Sequence, residues 1–307
     1  MIRQLLRKLR GNEFERILAR AAARGARRCL VYWNRGLGDI PLGLYALFAR
    51  VREVLPGVEI AVLTRADLEA AFDLLGVERV IVDPALVRDE REGFRRACER
   101  AGISPRDFDV VLEWPDPTEW VAWQLGSVVP RLALKPEHEA LWRKFPLDEQ
   151  KTYVAAHVST ETAQYYGYVK DWPVESWRGL FTALGAEAGV GCILLGHARS
   201  PRFDRPGIVD LRGQTTLLEM LSIVRNRCRV LVAPDGGVLT MAYYLDAAFP
   251  LTVVSLWSDP RQGILKQAVA SPNPQLVHVP LIGEGEDVRR IPVDEVLRHV
   301  REGLARR

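Results

Sequence analysis

Apolar positions in this chain follow two alternating rhythms. Short unbroken apolar runs at residues 29–33, 58–63, 77–82, 110–113 and 128–133 read as strands buried on both faces. Between them, apolar residues return at helical spacing over 41–54, 67–75 and 91–101. A polar stretch at 135–151 breaks the rhythm, which then restarts. Strands are predicted at 153–157, 191–195, 229–233 and 251–256, with helices at 174–187, 216–226 and 239–245. Thr216 and Glu219 have the spacing of a capping box at the start of the second of these helices. A last helix is expected over 293–304. Alternation of this kind predicts parallel sheets covered by helices, arranged as two Rossmann-like α/β domains that face each other across a cleft.

Residues 3–27 precede this pattern as one or two basic amphipathic helices, with Leu5, Leu6, Leu9, Phe14, Ile17 and Leu18 apolar and Gly11 a break. The expected organisation is therefore a leader at 1–27, an N-terminal Rossmann-like domain at 28–150 and a C-terminal Rossmann-like domain at 151–307. The last helix is a candidate to pack back on the N-terminal domain.

At 307 residues the chain has room for two such domains, and 48% hydrophobic against 26% charged residues is ordinary for a globular protein. No apolar run approaches the roughly 18 residues that span a bilayer. Arg3, Arg7, Lys8 and Arg10 leave no room for the apolar core of a secretion signal, so a cytoplasmic location is expected. Cys29, Cys98, Cys192 and Cys228 form no CxxC pair and are expected as buried, reduced thiols, and the five histidines show no metal-ligand spacing. Charge is unevenly spread. Residues 1–30 hold nine Arg and Lys against Glu13 and Glu15, a balance of +7, within a chain whose net charge is +3. Such a leader suits an anionic partner, and two readings stand side by side: packing on the N-terminal domain, and peripheral contact with anionic inner membrane. Nucleic acid is not an expected partner.

Three loops could carry chemistry. The first, Asn34-Arg35-Gly36-Leu37-Gly38-Asp39-Ile40-Pro41, joins a strand to its helix, where open α/β sheets bind ligands. Pro41 stands where a dinucleotide fingerprint needs its third glycine, which removes the NAD reading. Asp39 is either the cap of the following helix or a general base. The second, Val169-Lys170-Asp171-Trp172-Pro173, places Lys170 ahead of a helix, as a solvated side chain or as a cation for a phosphate. Ser159 and Thr160, after the preceding strand, are hydroxyl donors for the same group or ordinary loop residues. The third, Asp235-Gly236-Gly237-Val238-Leu239-Thr240, leads from a buried strand into a helix and offers free backbone N–H groups, without the lysine of a Walker A loop. Asp235 either caps that helix or meets a ribose or sugar hydroxyl.

Taken together and in this order, the loops resemble those of the bacterial lipopolysaccharide heptosyltransferases, the inverting GT-B enzymes of glycosyltransferase family 9. The resemblance rests on Gly36-Leu37-Gly38-Asp39, Lys170-Asp171-Trp172-Pro173, Asp210-Leu211-Arg212-Gly213 with Thr215 and Leu218, Asp235-Gly236-Gly237, and Trp257-Ser258-Asp259-Pro260, over about residues 28–270. It implies a GT-B fold and transfer of a sugar, heptose from ADP-heptose, to a hydroxyl of lipopolysaccharide core or another saccharide or lipid-linked saccharide acceptor. Asp39 would be the base and Lys170 the catalytic cation. Ser159, Thr160, Lys170 and residues 235–240 would bind the donor, and Asn34, Arg35 and Gly38 the acceptor. Neither a metal nor a cofactor is expected. The chain departs from the family at Gly236, where Ser or Thr is usual, and at Thr240, where His is usual, which leaves the donor sugar open. The alternatives are another GT-B sugar-nucleotide enzyme, such as an epimerase, and a catalytically inactive GT-B-like binding protein.

Overall fold

The computed structural model describes residues 12–90, 93–197 and 199–306. The chain divides into two compact units, Met1–Pro130 and Arg131–Arg307. The polar stretch at 135–151 thus belongs to the second unit.

The first unit runs α1 (Glu13–Ala23), β1 (Arg28–Trp33), a π-helical turn (Ile40–Leu44) continuing into α2 (Tyr45–Val54), β2 (Glu59–Thr64), α3 (Glu69–Leu74), β3 (Arg79–Val82), α4 (Gly93–Arg100) and β4 (Val110–Leu112). Its four strands are parallel in the order β3-β2-β1-β4. The central strands β1 and β2 are buried after their first residue, which is why their sequences are unbroken apolar runs.

The leader positions within the described residues form α1. It buries Phe14, Leu18 and Ala21, Phe14 stacks on Trp120 at 5.5 Å, and Asn12 caps the helix through Phe14 N–H while donating to the Trp120 carbonyl. Arg50 of α2 holds Glu15 by two hydrogen bonds of 2.8 and 2.9 Å. The packing alternative therefore holds for this helix. Its apolar face is spent on its own unit, while Arg16, Arg20 and Arg24 are exposed. Leu5, Leu6, Leu9 and the Gly11 break lie outside the described residues.

The second unit comprises β5 (Thr152–His157), α5 (Glu161–Tyr166), α6 (Val174–Leu184), β6 (Val190–Leu195), β7 (Ile208–Asp210), α7 (Leu217–Arg227), β8 (Cys228–Pro234), α8 (Gly237–Tyr243), β9 (Leu251–Trp257), α9 (Gly263–Gln267), β10 (Leu276–Ile282) and α10 (Val293–Ala305). Six parallel strands lie in the order β10-β9-β8-β5-β6-β7. Counted within the unit this is the doubly wound order 3-2-1-4-5-6, whose winding reverses between β5 and β8. The Thr216–Glu219 capping box is present. The final helix packs within this unit: Gly303 lies so close to the sheet that a Cβ there would meet Thr252 at 2.8 Å.

Three features differ from the sequence expectation. Residues 128–133 form no strand; Pro130 interrupts them, and only Leu132 bridges to Leu245. β7 and β10 were not foreseen, because one is three residues long and the other contains Pro280, which an edge strand tolerates. All four cysteines are buried and free.

Gly43 shows how tightly the first unit is assembled around the loop after β1. A Cβ there would fall 2.3 Å from the Pro117 carbonyl oxygen, so the π-helical turn rests directly on the 115–118 backbone. Gly43→Ala is expected to lower stability by about 1–3 kcal/mol through this overpacking. Urea denaturation measures it, and an unchanged midpoint would show that the turn and the 115–118 segment separate freely.

Candidate functional site

In a doubly wound sheet the natural crevice lies past the carboxyl ends of the two strands flanking the reversal. In the second unit those ends are His157 of β5 and Pro234 of β8, and the sequence-predicted donor residues follow directly after them.

The motif Lys170-Asp171-Trp172-Pro173 gives each residue its own contact. Trp172 is buried; its Nε1 donates to the Ile291 carbonyl at 3.0 Å and its ring meets Trp177 edge-on at 5.1 Å. Pro173 opens α6. Asp171 accepts from both the backbone N–H and the hydroxyl of Thr160, at 2.8 and 2.9 Å, and burial raises its pKa against the effect of those bonds. Lys170 reaches 65 residues along the chain to Asp235, with Nζ–Oδ2 at 2.5 Å and both side chains largely buried. The solvated reading of Lys170 is thereby excluded.

Asp235 does not cap α8; the cap position is Gly236, which has no side chain to do so. The Asp235 carboxylate turns to Lys170 and to Gly263, where a Cβ would stand 2.3 Å from Oδ1. Gly236 lies beside the Thr160 methyl and the His157 ring, at 3.3 and 3.7 Å from the position of its missing Cβ. Ser159, Thr160, Lys170, Asp235 and Gly236 thus gather at the reversal point, with Gly237, Val238 and Leu239 in the first turn of α8. The hydroxyls of Thr160 and Thr240 are occupied as well. The Thr160 hydroxyl also caps α5 through Ala163 N–H, and the buried Thr240 hydroxyl donates to the Gly236 carbonyl at 3.0 Å.

In the first unit the reversal lies between β1 and β4. The Arg35 guanidinium is held 4.1 Å from the Trp33 ring centre and 4.7 Å from that of Trp114, and donates to the Pro115 carbonyl. Asn34 is buried, its amide donating to the carbonyls of Val87 and Glu90 at 3.0 and 3.1 Å, so it pins a neighbouring loop. Gly38 accepts from Leu42 N–H. Asp39 stands at the cap position with helical angles and no side-chain cap bond, so the capping role is not taken up. Its carboxylate folds over Gly36, where a Cβ would meet Oδ2 at 2.9 Å, and the residue is exposed.

Sequence reasoning missed His157, Asp171 and Gly263 as parts of the site. Asp171 was inside a recognised motif but had no role that spacing could assign. Gly263 is brought in only by the fold. Among the described residues no group of three or more His, Cys, Asp or Glu is placed to hold a metal ion, and no helix is long and apolar enough to cross a membrane.

With this geometry in view, the comparison with solved structures is decisive for the fold. ADP-heptose lipopolysaccharide heptosyltransferase II of E. coli superposes with a TM-score of 0.62 at 18% identity, covering 90% of this chain and 98% of that one. The chain has the fold of the GT-B heptosyltransferases. A family 9 glycosyl transferase of Veillonella parvula gives 0.59 at 14% identity, covering 91% and 97%. The iron-containing dodecameric glycosyltransferase TibC of enterotoxigenic E. coli gives 0.50 at 14% identity, covering 91% and 77%. No family model and no curated protein matches the chain.

Two histidines of the second unit, His157 buried and His278 half-buried, make stability depend on pH. Burial lowers the pKa of His157 from 6.5 to about 4, with His197 adding to the effect, and burial alone does the same for His278. Between these values the unfolded chain binds protons that the folded chain refuses. Stability therefore falls as pH drops from 6.5 towards 4, and these groups leave it unchanged above that window. Urea midpoints measured across this range should fall less steeply for His157→Gln than for wild type; parallel curves would show that His157 titrates normally in the folded protein.

Proposed function

We propose that the chain is an inverting glycosyltransferase that moves a sugar, heptose in the family it resembles, from a nucleoside-diphosphate donor such as ADP-heptose to an acceptor hydroxyl of lipopolysaccharide core. The observation that carries this reading is the gathering of Lys170, Asp235, Thr160 and Gly236 at the reversal point of the second sheet. The likeness of the whole fold to an ADP-heptose heptosyltransferase supports it.

The roles follow from the chemistry. Asp39 takes the proton of the acceptor hydroxyl. The acceptor oxygen bonds to the anomeric carbon as the bond from that carbon to the diphosphate oxygen breaks, with inversion and an oxocarbenium-like transition state. Lys170 and the backbone N–H groups at the start of α8 take up the charge developing on the leaving nucleoside diphosphate. Gly236, Gly237, Val238, Leu239 and Ser159 line the donor, and Arg35 and Gly38 meet the acceptor. On this reading the cationic side chain and the amides serve where other transferases use a metal.

One observation favours a second reading, a nucleotide-sugar-binding protein without turnover. Lys170 is already neutralised by Asp235, and the Thr240 hydroxyl is spent on Gly236. A single assay separates the readings: ADP-heptose is incubated with the full chain, with and without a saccharide acceptor, and released ADP is measured. Transfer needs acceptor, an epimerase alters the sugar without it, and a binding protein does neither. An EDTA arm tests metal independence, and inhibition reversed by a divalent cation would overturn that part.

Asp39→Asn should reduce turnover by about 10²–10⁴ while leaving donor affinity unchanged, as expected for loss of a general base. Near-normal turnover in a folded variant would remove Asp39 from the chemistry.

The exposed Arg16, Arg20 and Arg24 of α1, together with the basic residues before them in sequence, suit a peripheral site on anionic membrane facing the cytoplasm. Contact would be electrostatic, each cation contributing up to about 1 kcal/mol, and screened by salt. Co-sedimentation with anionic vesicles should be strong at low salt, weak at high salt and reduced by Arg16→Ala/Arg20→Ala/Arg24→Ala. Indifference of the wild type to vesicles at low salt would rule the surface out.

A further inference from the structure

The imidazole of His157 ends β5 where the winding of the second sheet reverses, and it is only 6% exposed. Its Nδ1 is buried and has no hydrogen-bond partner among the described residues. Two glycines frame the ring. A Cβ on Gly196 would stand 2.8 Å from Cδ2 and 3.1 Å from Nε2, so only glycine admits the imidazole on that side. Gly236 faces the other side, with its missing Cβ 3.7 Å from Cε1. The loops after β5, β6 and β8 therefore meet at this one ring.

Buried polar atoms in folded proteins are nearly always paired, and an unpaired one asks for a partner that comes and goes. Three polar groups of the same site are committed elsewhere: Thr160 to Asp171, Thr240 to the Gly236 carbonyl, and Lys170 to Asp235. Burial keeps the ring neutral, so it carries one N–H donor and one lone pair. A diphosphate offers only acceptor oxygens, which an N–H donor matches directly. A neutral donor also binds such a group without placing another charge in the pocket.

We propose that His157 is a donor-binding residue whose ring N–H hydrogen-bonds an oxygen of the diphosphate of the nucleotide sugar. This rests on the glycosyltransferase reading of the same pocket. It assigns the site's most buried uncommitted polar group to the leaving group, beside Lys170 rather than in place of it.

The test uses the full chain and compares wild type, His157→Leu and His157→Gln. Calorimetry measures binding of ADP, UDP and GDP, and of adenosine, uridine and guanosine as probes without the diphosphate. His157→Leu should weaken binding of the preferred diphosphate about tenfold or more, while leaving its nucleoside within about twofold. His157→Gln, which keeps an N–H donor, should recover most of the loss. In wild type, the ring nitrogens of one of the five histidines should shift when the diphosphate is added, and that signal should be missing from His157→Gln. This arm decides the matter even if His157→Leu does not fold. Wild-type affinity in folded His157→Leu, or His157 ring nitrogens unmoved at saturating diphosphate, overturns the proposal and would leave an ordered water as the partner of Nδ1. A wild-type chain that binds none of the three diphosphates overturns the donor-site reading itself, an outcome distinct from the first two.

Discussion

Trp172 lies buried in the second unit, its indole bonded to the carbonyl of Ile291 and its ring at right angles to Trp177, which in turn stacks on Phe181. An indole removed from water and satisfied at its one polar atom is a strong anchor, and the chain on either side inherits its position. Two residues before it, Lys170 can reach Asp235. One residue before it, Asp171 can close on Thr160. One residue after it, Pro173 can start α6. The loop between β5 and α6 is thereby fixed from its far end, and the polar groups at the reversal point are held by the aromatic core beneath them.

The two units share a winding order through their first four strands, yet differ past the strand ends. In the first, Arg35 lies between two tryptophans just after β1. In the second, the same place is bordered by glycines and by a histidine whose Nδ1 is unpaired. The residues at the strand ends thus differ between the units: a guanidinium between aromatic rings in one, glycines around a histidine in the other. The fold accommodates both.

The parallel strands and most helices were legible because burial on both faces forces unbroken apolar runs, and because caps such as Thr216 with Glu219 are local. What was not legible fails for physical reasons. Pro280 disguises an edge strand, and Pro130 breaks an apolar run that looked like one. At the site, sequence spacing singled out Lys170 and Asp235 but could not show that they pair with each other, since 64 residues lie between them and only the sheet order brings them together. The occupation of Thr160 and Thr240 was equally hidden. A hydroxyl looks available in sequence whether or not a neighbouring carboxylate or carbonyl has claimed it.

If the reversal point of the second sheet binds the donor as proposed, the Lys170–Asp235 pair also sets which anions can enter it. A bare lysine at a strand end would collect chloride and inorganic phosphate from any cellular medium. Here the lysine already has a carboxylate at 2.5 Å, held in place by the close approach of Gly263. An incoming anion must compete with that internal counter-ion, and a small one brings too few contacts to do so. Only a ligand that engages several groups at once gains enough to part the pair. On the proposed donor-site reading the carboxylate is a resident competitor, exchanging affinity for weak anions against discrimination in favour of large ones.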